Sequence, residues 1–141
     1  MVSAVSCSTV PHISLIMGAS YGAGNYAMCG RSYRPRFLFT WPIGRCSVMG
    51  PDQLAGVMET IQRASAKSQG REILEDEIKA STQVFRDGVL RDSECYSTSA
   101  VGLDDGIIDP RDTRDVLGMC LEVVSIPGVQ GTETHQILAR M

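Results

Sequence analysis

A stretch of small residues directly after a short apolar run is the strongest local constraint in this sequence. Residues 18–24 read "GASYGAG", and they follow "HISLIM" at 12–17. Glycine and alanine allow a ligand or another chain to come close to the main-chain N–H groups. If a helix begins here, its first N–H groups have no intrahelical acceptor and point at any anion that approaches. The sequence therefore predicts a site that is made of backbone.

The first half of the chain alternates strand-like and helix-like segments. Apolar runs without a helical period predict short strands at 12–18, 36–41 and 45–50. Between the first two strands, a helical turn or two is expected from Tyr26 to Arg31, before Pro35. This pattern is typical of an α/β or mixed α+β fold in a single domain.

Two amphipathic helices are predicted in the middle of the chain. The first runs from Pro51, a favoured residue at a helix start, to Gly70, a favoured residue at a helix end. The second covers 71–88 and ends at Gly88. The positions expected on their inner faces are Leu54, Val57, Met58 and Ile61 in the first, and Leu74, Ile78, Ser81 and Phe85 in the second.

The last third contains a turn, a short strand and a third helix. The "DDG" turn at 104–106 precedes the strand-like Ile107 and Ile108, and the motif "DDGIID" is interpreted as structural. Asp109 is an expected N-cap, and Pro110 suits the first helical position. The expected helix ends at Pro127-Gly128, and 128–141 form a polar tail. Its expected inner face consists of Leu117, Cys120, Leu121 and Val124.

Composition argues against several classes of function. The net charge of −3 provides no basic field for nucleic acid, and no apolar window is long enough to span a membrane. His12 and His135 are far apart and have no partner at metal-ligand spacing, so no metal site is expected. An odd number of cysteines without a C-x-x-C pair favours reduced thiols: Cys7, Cys29, Cys46, Cys95 and Cys120.

The small-residue stretch also satisfies a nucleotide-binding pattern. "GAGNYA" at 22–27 matches G-x-G-x-x-A after a predicted strand. A dinucleotide-binding unit then requires one crossover helix, but Pro35, "RFLFTW" and Pro42 interrupt the following segment. On pattern alone, a tight strand-to-helix turn packed against a neighbouring strand remains the simplest alternative.

Three longer strings carry a family resemblance: "GASYGAGNYAMCGRSYRPRFLFTWP", "SVMG" and "DDGIIDPRDTRDVLG". With them the chain resembles the biotin-dependent acyl-CoA carboxyltransferases, above all the β subunits of methylcrotonoyl-CoA carboxylases, which carry no biotin. The likeness runs from Met1 to the terminal "RM" and thins between Asp52 and Val101. It implies a crotonase-like fold of ββα units. It also implies that 1–141 are part of a C-terminal carboxyltransferase subdomain in a longer subunit.

The resemblance implies a reaction and a site. The reaction transfers a carboxyl group from carboxybiotin to 3-methylcrotonoyl-CoA in leucine degradation. It requires stabilisation of a thioester enolate and of the biotin ureido oxygen, which crotonase-like sites achieve with paired backbone N–H groups. The biotin-side oxyanion hole maps to Ala23 and Gly24, with Gly22 beside them, and these amides are expected to face a cavity. The leaving biotin itself serves as the base.

The resemblance also implies partners and a compartment. Biotin is carried by an α subunit, which alone uses ATP, and acyl-CoA is bound by the first subdomain of another β subunit. The expected location is the mitochondrial matrix in a eukaryote and the cytoplasm in a bacterium. The chain departs from the family pattern at Ile43 and at Pro51, where a backbone donor is lost.

Alternatives remain open at this stage. The chain is either a catalytic portion of such a carboxylase or a non-catalytic fragment that only binds carboxylase subunits, and propionyl-CoA or geranyl-CoA is an alternative substrate. Cys29 is either an activated thiol or a buried small residue. The arginine cluster either lies near CoA phosphates or belongs to a solvated loop: Arg31, Arg34 and Arg36.

Overall fold

Short parallel strands and helices alternate along residues 2–70 and 75–126, the part of the chain that the computed structural model describes. Two short 3-10 helices lie at Arg31–Tyr33 and Pro110–Asp112. The strands are β1 (Ile13–Ile16), β2 (Ala19–Tyr21), β3 (Phe37–Thr40), β4 (Arg45–Ser47) and β5 (Gly106–Ile107). The helices are α1 (Val2–Ser6), α2 (Gly22–Ala27), α3 (Pro51–Gln69), α4 (Glu75–Asp92), α5 (Cys95–Ala100) and α6 (Thr113–Ser125).

Two consecutive ββα units form the centre of the fold. The first consists of β1, β2 and α2, and the second of β3, β4 and α3. Equivalent strands of the two units pair in parallel, with Ile13 opposite Phe37 and Ala19 opposite Arg45. Strand β5 adds to the other edge of β3, so one sheet has the order β1-β3-β5 and the other is β2-β4. The α/β class and the ββα repeat predicted above are confirmed.

The core is centred on β3 and contains few large side chains. Leu38 and Thr40 point inward from this strand and are 2% and 1% exposed. Most of the other buried apolar positions hold small residues, and the complete set in the described residues is Cys29, Leu38, Ala55, Ala66, Ile78, Cys95 and Cys120. Small residues allow close approach of the helices to β3, but each contributes little buried area.

The strands predicted at 12–18, 36–41 and 45–50 are present as β1, β3 and β4. Strand β2 was expected to be part of the small-residue loop. It has only three residues, and its pairing partner β4 lies far along the chain, so no local pattern indicates it. The helix expected from Tyr26 to Arg31 is also wrong in position: α2 begins at Gly22 and ends at Ala27. Cys29 has a left-handed backbone (φ 58°), which cannot continue a helix.

Helix α3 matches its predicted bounds, because Pro51 starts it and Gly70 takes the left-handed conformation that ends it (φ 63°). The predicted inner face is only partly correct. Val57 and Ile61 are 42% and 54% exposed, whereas the buried positions of the helix are Ala55 and Ala66. Helix α3 packs against α4 through small residues, which leaves the bulky ones at the margin.

Helix α4 continues past the predicted end at Gly88 and stops at Asp92. A Cβ atom at Gly88 would meet no atom within 4 Å, so no close approach explains this glycine. Ile78 is buried as expected, but Phe85 is 37% exposed. Leu74, the first predicted inner position, lies outside the described residues.

The last third confirms the turn and its cap and adds one helix. The side chain of Asp109 accepts a hydrogen bond from the Arg111 amide at 2.8 Å, and Pro110 begins the 3-10 helix that leads into α6. Helix α5 was missed, because its six residues show no apolar period. On α6, Cys120 is buried but Leu121 is 56% exposed. The expected end at Pro127-Gly128 and the tail 128–141 lie outside the described residues.

Within residues 2–70 and 75–126, every helix is too short or too polar to cross a membrane.

Candidate active site at the junction of β2 and α2

Gly22, Ala23 and Gly24 form the first turn of α2, directly after β2. Tyr21 is the N-cap residue and has extended backbone angles (φ −121°, ψ 140°). N–H groups in the first turn of a helix have no acceptor four residues earlier in the same helix. Among the described residues, the backbone hydrogen bonds between elements include none donated by Ala23 or Gly24. Both residues are exposed, so this turn offers two adjacent amides at the surface.

The two glycines of this turn are there for different reasons. Gly22 has a left-handed backbone (φ 52°), and a Cβ atom on it would lie 2.9 Å from the carbonyl oxygen of Val48. Only glycine fits that position without strain. Gly24 lacks a positive φ, and a Cβ atom there would meet nothing within 4 Å. The fold therefore requires Gly22, whereas Gly24 keeps open the space in front of the amides.

Asn25 fastens α2 to both strands behind it. Its Nδ2 atom donates to the Ser20 hydroxyl at 3.0 Å and to the Cys46 sulfur at 3.5 Å. Its carbonyl oxygen accepts from the Gly30 amide at 2.8 Å, and a side chain at Gly30 would overlap Asn25. The ring of Tyr26 packs edge-on against Tyr33 with 5.5 Å between centroids. These contacts hold the first turn of α2 in one orientation.

A cavity of about 260 Å³ lies behind α2. Gly22, Asn25 and Tyr26 line it from the helix side, and Asp104 lines it opposite. The residues lining this cavity do not include Ala23 or Gly24, so of the three predicted residues only Gly22 reaches it. The expectation that the Ala23 and Gly24 amides face this cavity is therefore wrong. They lie on the exposed side of the turn.

The "DDG" turn has the structural role that the sequence indicates. The Leu38 amide donates to Asp105 Oδ2 at 2.8 Å, and the Asp105 amide donates to the Leu38 carbonyl at 2.7 Å. Arg31 Nη1 donates to Asp105 Oδ1 at 3.1 Å. Asp105 thus joins β3 to the segment after α2. Arg31 is in an ion pair within the chain, as expected for a loop arginine.

The cysteines are free thiols, and their burial argues against nucleophilic roles. Cys29 is 3% exposed, and burial raises the pKa of its thiol. Burial also raises the pKa of Cys46, and the negative charge of Asp104 adds to that effect. A raised pKa lowers the thiolate fraction that reacts. The interpretation of Cys29 as a buried small residue is the one that fits.

Two features fall outside this site. Within the described part of the chain, no group of three or more His, Cys, Asp or Glu residues is arranged to hold a metal ion. The carbonyl of His12 accepts from the Arg36 amide at 2.7 Å, and His135 lies outside the described residues.

Stacked ββα units with an exposed pair of backbone amides at a strand-to-helix junction suit acyl-transfer chemistry. Residues 1–129 match the family model described as the carboxyl transferase domain, so the chain belongs to this family. The predicted family and its crotonase-like fold are thus confirmed.

Individual relatives narrow the class further. The chain is 49% identical over 137 residues to a probable biotin-dependent acyl-coenzyme A carboxylase beta2 subunit of Mycobacterium tuberculosis, covering 97% of this chain and 26% of the relative. It is 52% identical over 121 residues to the mitochondrial methylcrotonoyl-CoA carboxylase beta chain of Arabidopsis thaliana, covering 86% of this chain and 21% of the relative.

A solved structure gives the same result. The β subunit of geranyl-CoA carboxylase from P. aeruginosa superposes with a TM-score of 0.78 at 36% identity, covering 86% of this chain and 22% of that subunit. The chain therefore spans about a fifth to a quarter of the length of the proteins that it matches.

Proposed function

We propose that the chain is the carboxyltransferase part of a methylcrotonoyl-CoA carboxylase β subunit, drawn from its C-terminal subdomain. Its reaction transfers a carboxyl group from carboxybiotin to 3-methylcrotonoyl-CoA. The observation that carries the proposal is the pair of exposed first-turn amides at Ala23 and Gly24, in a chain that belongs to the carboxyl transferase family. The 52% identity to a methylcrotonoyl-CoA carboxylase beta chain supports this substrate.

The residues present fit a biotin-side oxyanion hole. Bound carboxybiotin supplies the carboxyl group that is transferred. The N–H groups of Ala23 and Gly24 donate to the oxygen that gains negative charge as that group leaves. Because the backbone amides are already oriented by α2, little reorganisation accompanies the reaction. The open space at Gly24 gives a bulky ring access to both amides, and Gly22 sets the turn that exposes them.

The proposal includes partners that the relatives' names suggest. A biotin-carrying α subunit presents the cofactor and alone uses ATP, and other β subunits supply the acyl-CoA half of the site. One relative is named a beta2 subunit of a biotin-dependent carboxylase, and another is named mitochondrial. We propose the mitochondrial matrix as the location in a eukaryote and the cytoplasm in a bacterium.

A second acyl-CoA is favoured by one observation. The geranyl-CoA carboxylase β subunit superposes on most of the chain with a TM-score of 0.78. Competition between methylcrotonoyl-CoA, geranyl-CoA and propionyl-CoA at a reconstituted enzyme separates these candidates. A non-catalytic fragment that only binds carboxylase subunits remains the alternative outside enzymes, and it predicts binding without turnover.

The substitution Gly24→Val in a full-length subunit tests the oxyanion hole. The added side chain meets no protein atom, so the variant is expected to fold. It blocks access to the amides, and loss of such a donor lowers turnover by roughly 10²–10³-fold. The KM for acyl-CoA is expected to stay unchanged, because another subdomain binds that substrate. Steady-state kinetics with a melting curve measures both effects.

A matched control is available on another helix. Gly56 lies in α3, and a Cβ atom there also meets nothing within 4 Å. Gly56→Val is expected to keep nearly full turnover. A folded Gly24→Val enzyme with more than half of the wild-type turnover contradicts the role assigned to this turn.

A further inference from the structure

The cavity behind α2 contains a buried carboxylate with one unsatisfied oxygen. Asp104 lines the cavity and is only 8% exposed. Its Oδ2 atom accepts a hydrogen bond from the Thr40 hydroxyl at 2.9 Å. Its Oδ1 atom is buried and has no hydrogen-bond partner among the described residues. A buried carboxylate with a single neutral donor is costly, because burial removes water from a charged group.

The polar residues around this cavity already have partners. Arg31 lines it, but its Nη1 atom donates to Asp105 Oδ1 at 3.1 Å. The amide nitrogen of Asn25 donates to Ser20 and to Cys46. The remaining wall is largely apolar, with Ile16, Leu38, Val48 and Leu103. The missing donor for Asp104 must therefore come from a group that enters the cavity.

We propose that this cavity binds a guanidinium group on an aliphatic stem, which is the chemistry of an arginine side chain. A cation compensates the buried carboxylate, and a guanidinium donates charge-assisted hydrogen bonds in a fixed planar arrangement. The apolar wall packs against the stem, as it does for arginine side chains elsewhere. The cavity, about 260 Å³, has room for such a group. This site is separate from the amides of Ala23 and Gly24 and does not depend on carboxyl transfer.

Binding of butylguanidinium to the 141-residue protein tests the charge requirement. Amide signals of the cavity residues are followed by NMR at constant ionic strength, with butylurea as an uncharged probe of the same shape. Saturable shifts are expected with butylguanidinium, and binding of butylurea is expected to be at least about tenfold weaker, because hydrogen bonds to charged groups are the stronger ones. Equal binding of both probes, or binding of neither, overturns the proposal.

Two variants and a larger probe complete the test. Asp104→Asn keeps the shape of the site and is expected to weaken butylguanidinium binding by about tenfold or more. Asp76→Asn, at an exposed position in the first turn of α4, is the control and leaves binding unchanged. If Asp104→Asn fails to fold, the comparison of the two probes on the wild type decides.

N-acetylarginine methylamide identifies the source of the group. If it binds as tightly as butylguanidinium, the cavity accepts an arginine side chain from another polypeptide segment. If it does not bind while butylguanidinium does, the cavity encloses a free guanidine.

Discussion

At the scale of single residues, the small-residue stretch divides into positions that the fold needs and positions that it leaves open. Gly22 combines a left-handed backbone with a close approach to the Val48 carbonyl. Gly24 has neither feature. The sequence predicts that both glycines matter, but it cannot separate them, because the atom that excludes a side chain at Gly22 lies in a segment far along the chain.

Alanine substitutions at the two glycines separate these roles. Gly22→Ala is expected to lower the free energy of unfolding by at least about 1–2 kcal/mol, since the left-handed conformation is strained for alanine. Gly24→Ala is expected to preserve or raise it, because alanine is the better helix former. Urea unfolding curves of the two variants measure the difference. Equal destabilisation by both would contradict the structural assignment.

At the scale of elements, the boundaries marked by proline or glycine in special conformations were predictable. Pro51 and Gly70 bound α3, and Asp109 caps the segment before α6, as the sequence indicates. Strand β2 and helix α5 were not predictable, because segments of three and six residues show no periodicity. Gly88 misleads for a different reason: it has the residue type of a helix end but an interior position in α4.

The position of Gly88 gives a substitution whose sign is informative. Gly88→Ala is expected to stabilise the protein by about 0.5–1 kcal/mol, because glycine in a helix interior is unfavourable relative to alanine. The added methyl group meets no atom within 4 Å. Thermal unfolding measures the change. A lower melting temperature would indicate that the helix ends at Gly88 after all.

The cap at Asp109 predicts a pH dependence. Hydrogen bonds from the Arg111 side chain and amide lower the pKa of Asp109 to about 2. A carboxyl group with a lowered folded-state pKa stabilises the protein above its unfolded value of about 4, and this contribution is lost as the pH falls toward the folded value. The stability advantage of the wild type over Asp109→Ala is therefore expected to shrink between about pH 4 and pH 2.

Urea midpoints of the wild type and Asp109→Ala at pH 6, 4 and 3 test this expectation. Asp109→Asn is the matched variant, because its side-chain oxygen can still accept from the Arg111 amide while the charge is gone. Its stability relative to Asp109→Ala should not vary over the same range. A constant difference between the wild type and Asp109→Ala would contradict the lowered pKa.

At the scale of the whole molecule, the family and the ββα repeat were predictable, whereas the cavity behind α2 was not. Long unusual strings such as "GAGNYAMCGR" carry the family. The cavity depends on tertiary contacts among α2, β3 and Asp104, which no local pattern reports. The chain spans about a fifth to a quarter of its relatives, and several large apolar side chains are exposed on it: Met28, Ile43, Val48, Val84 and Val101.

The isolated chain is expected to have no carboxyltransferase activity. On the proposed function it offers only the biotin side of the reaction, and catalysis requires that both reactants are held in position. Incubation of the purified 141-residue protein with carboxybiotin and methylcrotonoyl-CoA, followed by detection of the carboxylated product, measures this. Product formation above the rate without protein would show that the chain also positions the acyl-CoA.

The parallel pairing of the two ββα units has a consequence for the order of folding. Pairing of Ile13 with Phe37 closes a short loop that contains α2, whereas pairing of Phe39 with Gly106 closes one about three times as long. The longer closure costs about 0.9 kcal/mol more in chain entropy. Strand β5 therefore joins after β1 and β3 have paired, and the "DDG" turn, with Asp104, reaches its place behind α2 only in that late step. The turn of Ala23 and Gly24 belongs to the part that assembles early, and the cavity belongs to the part that assembles last.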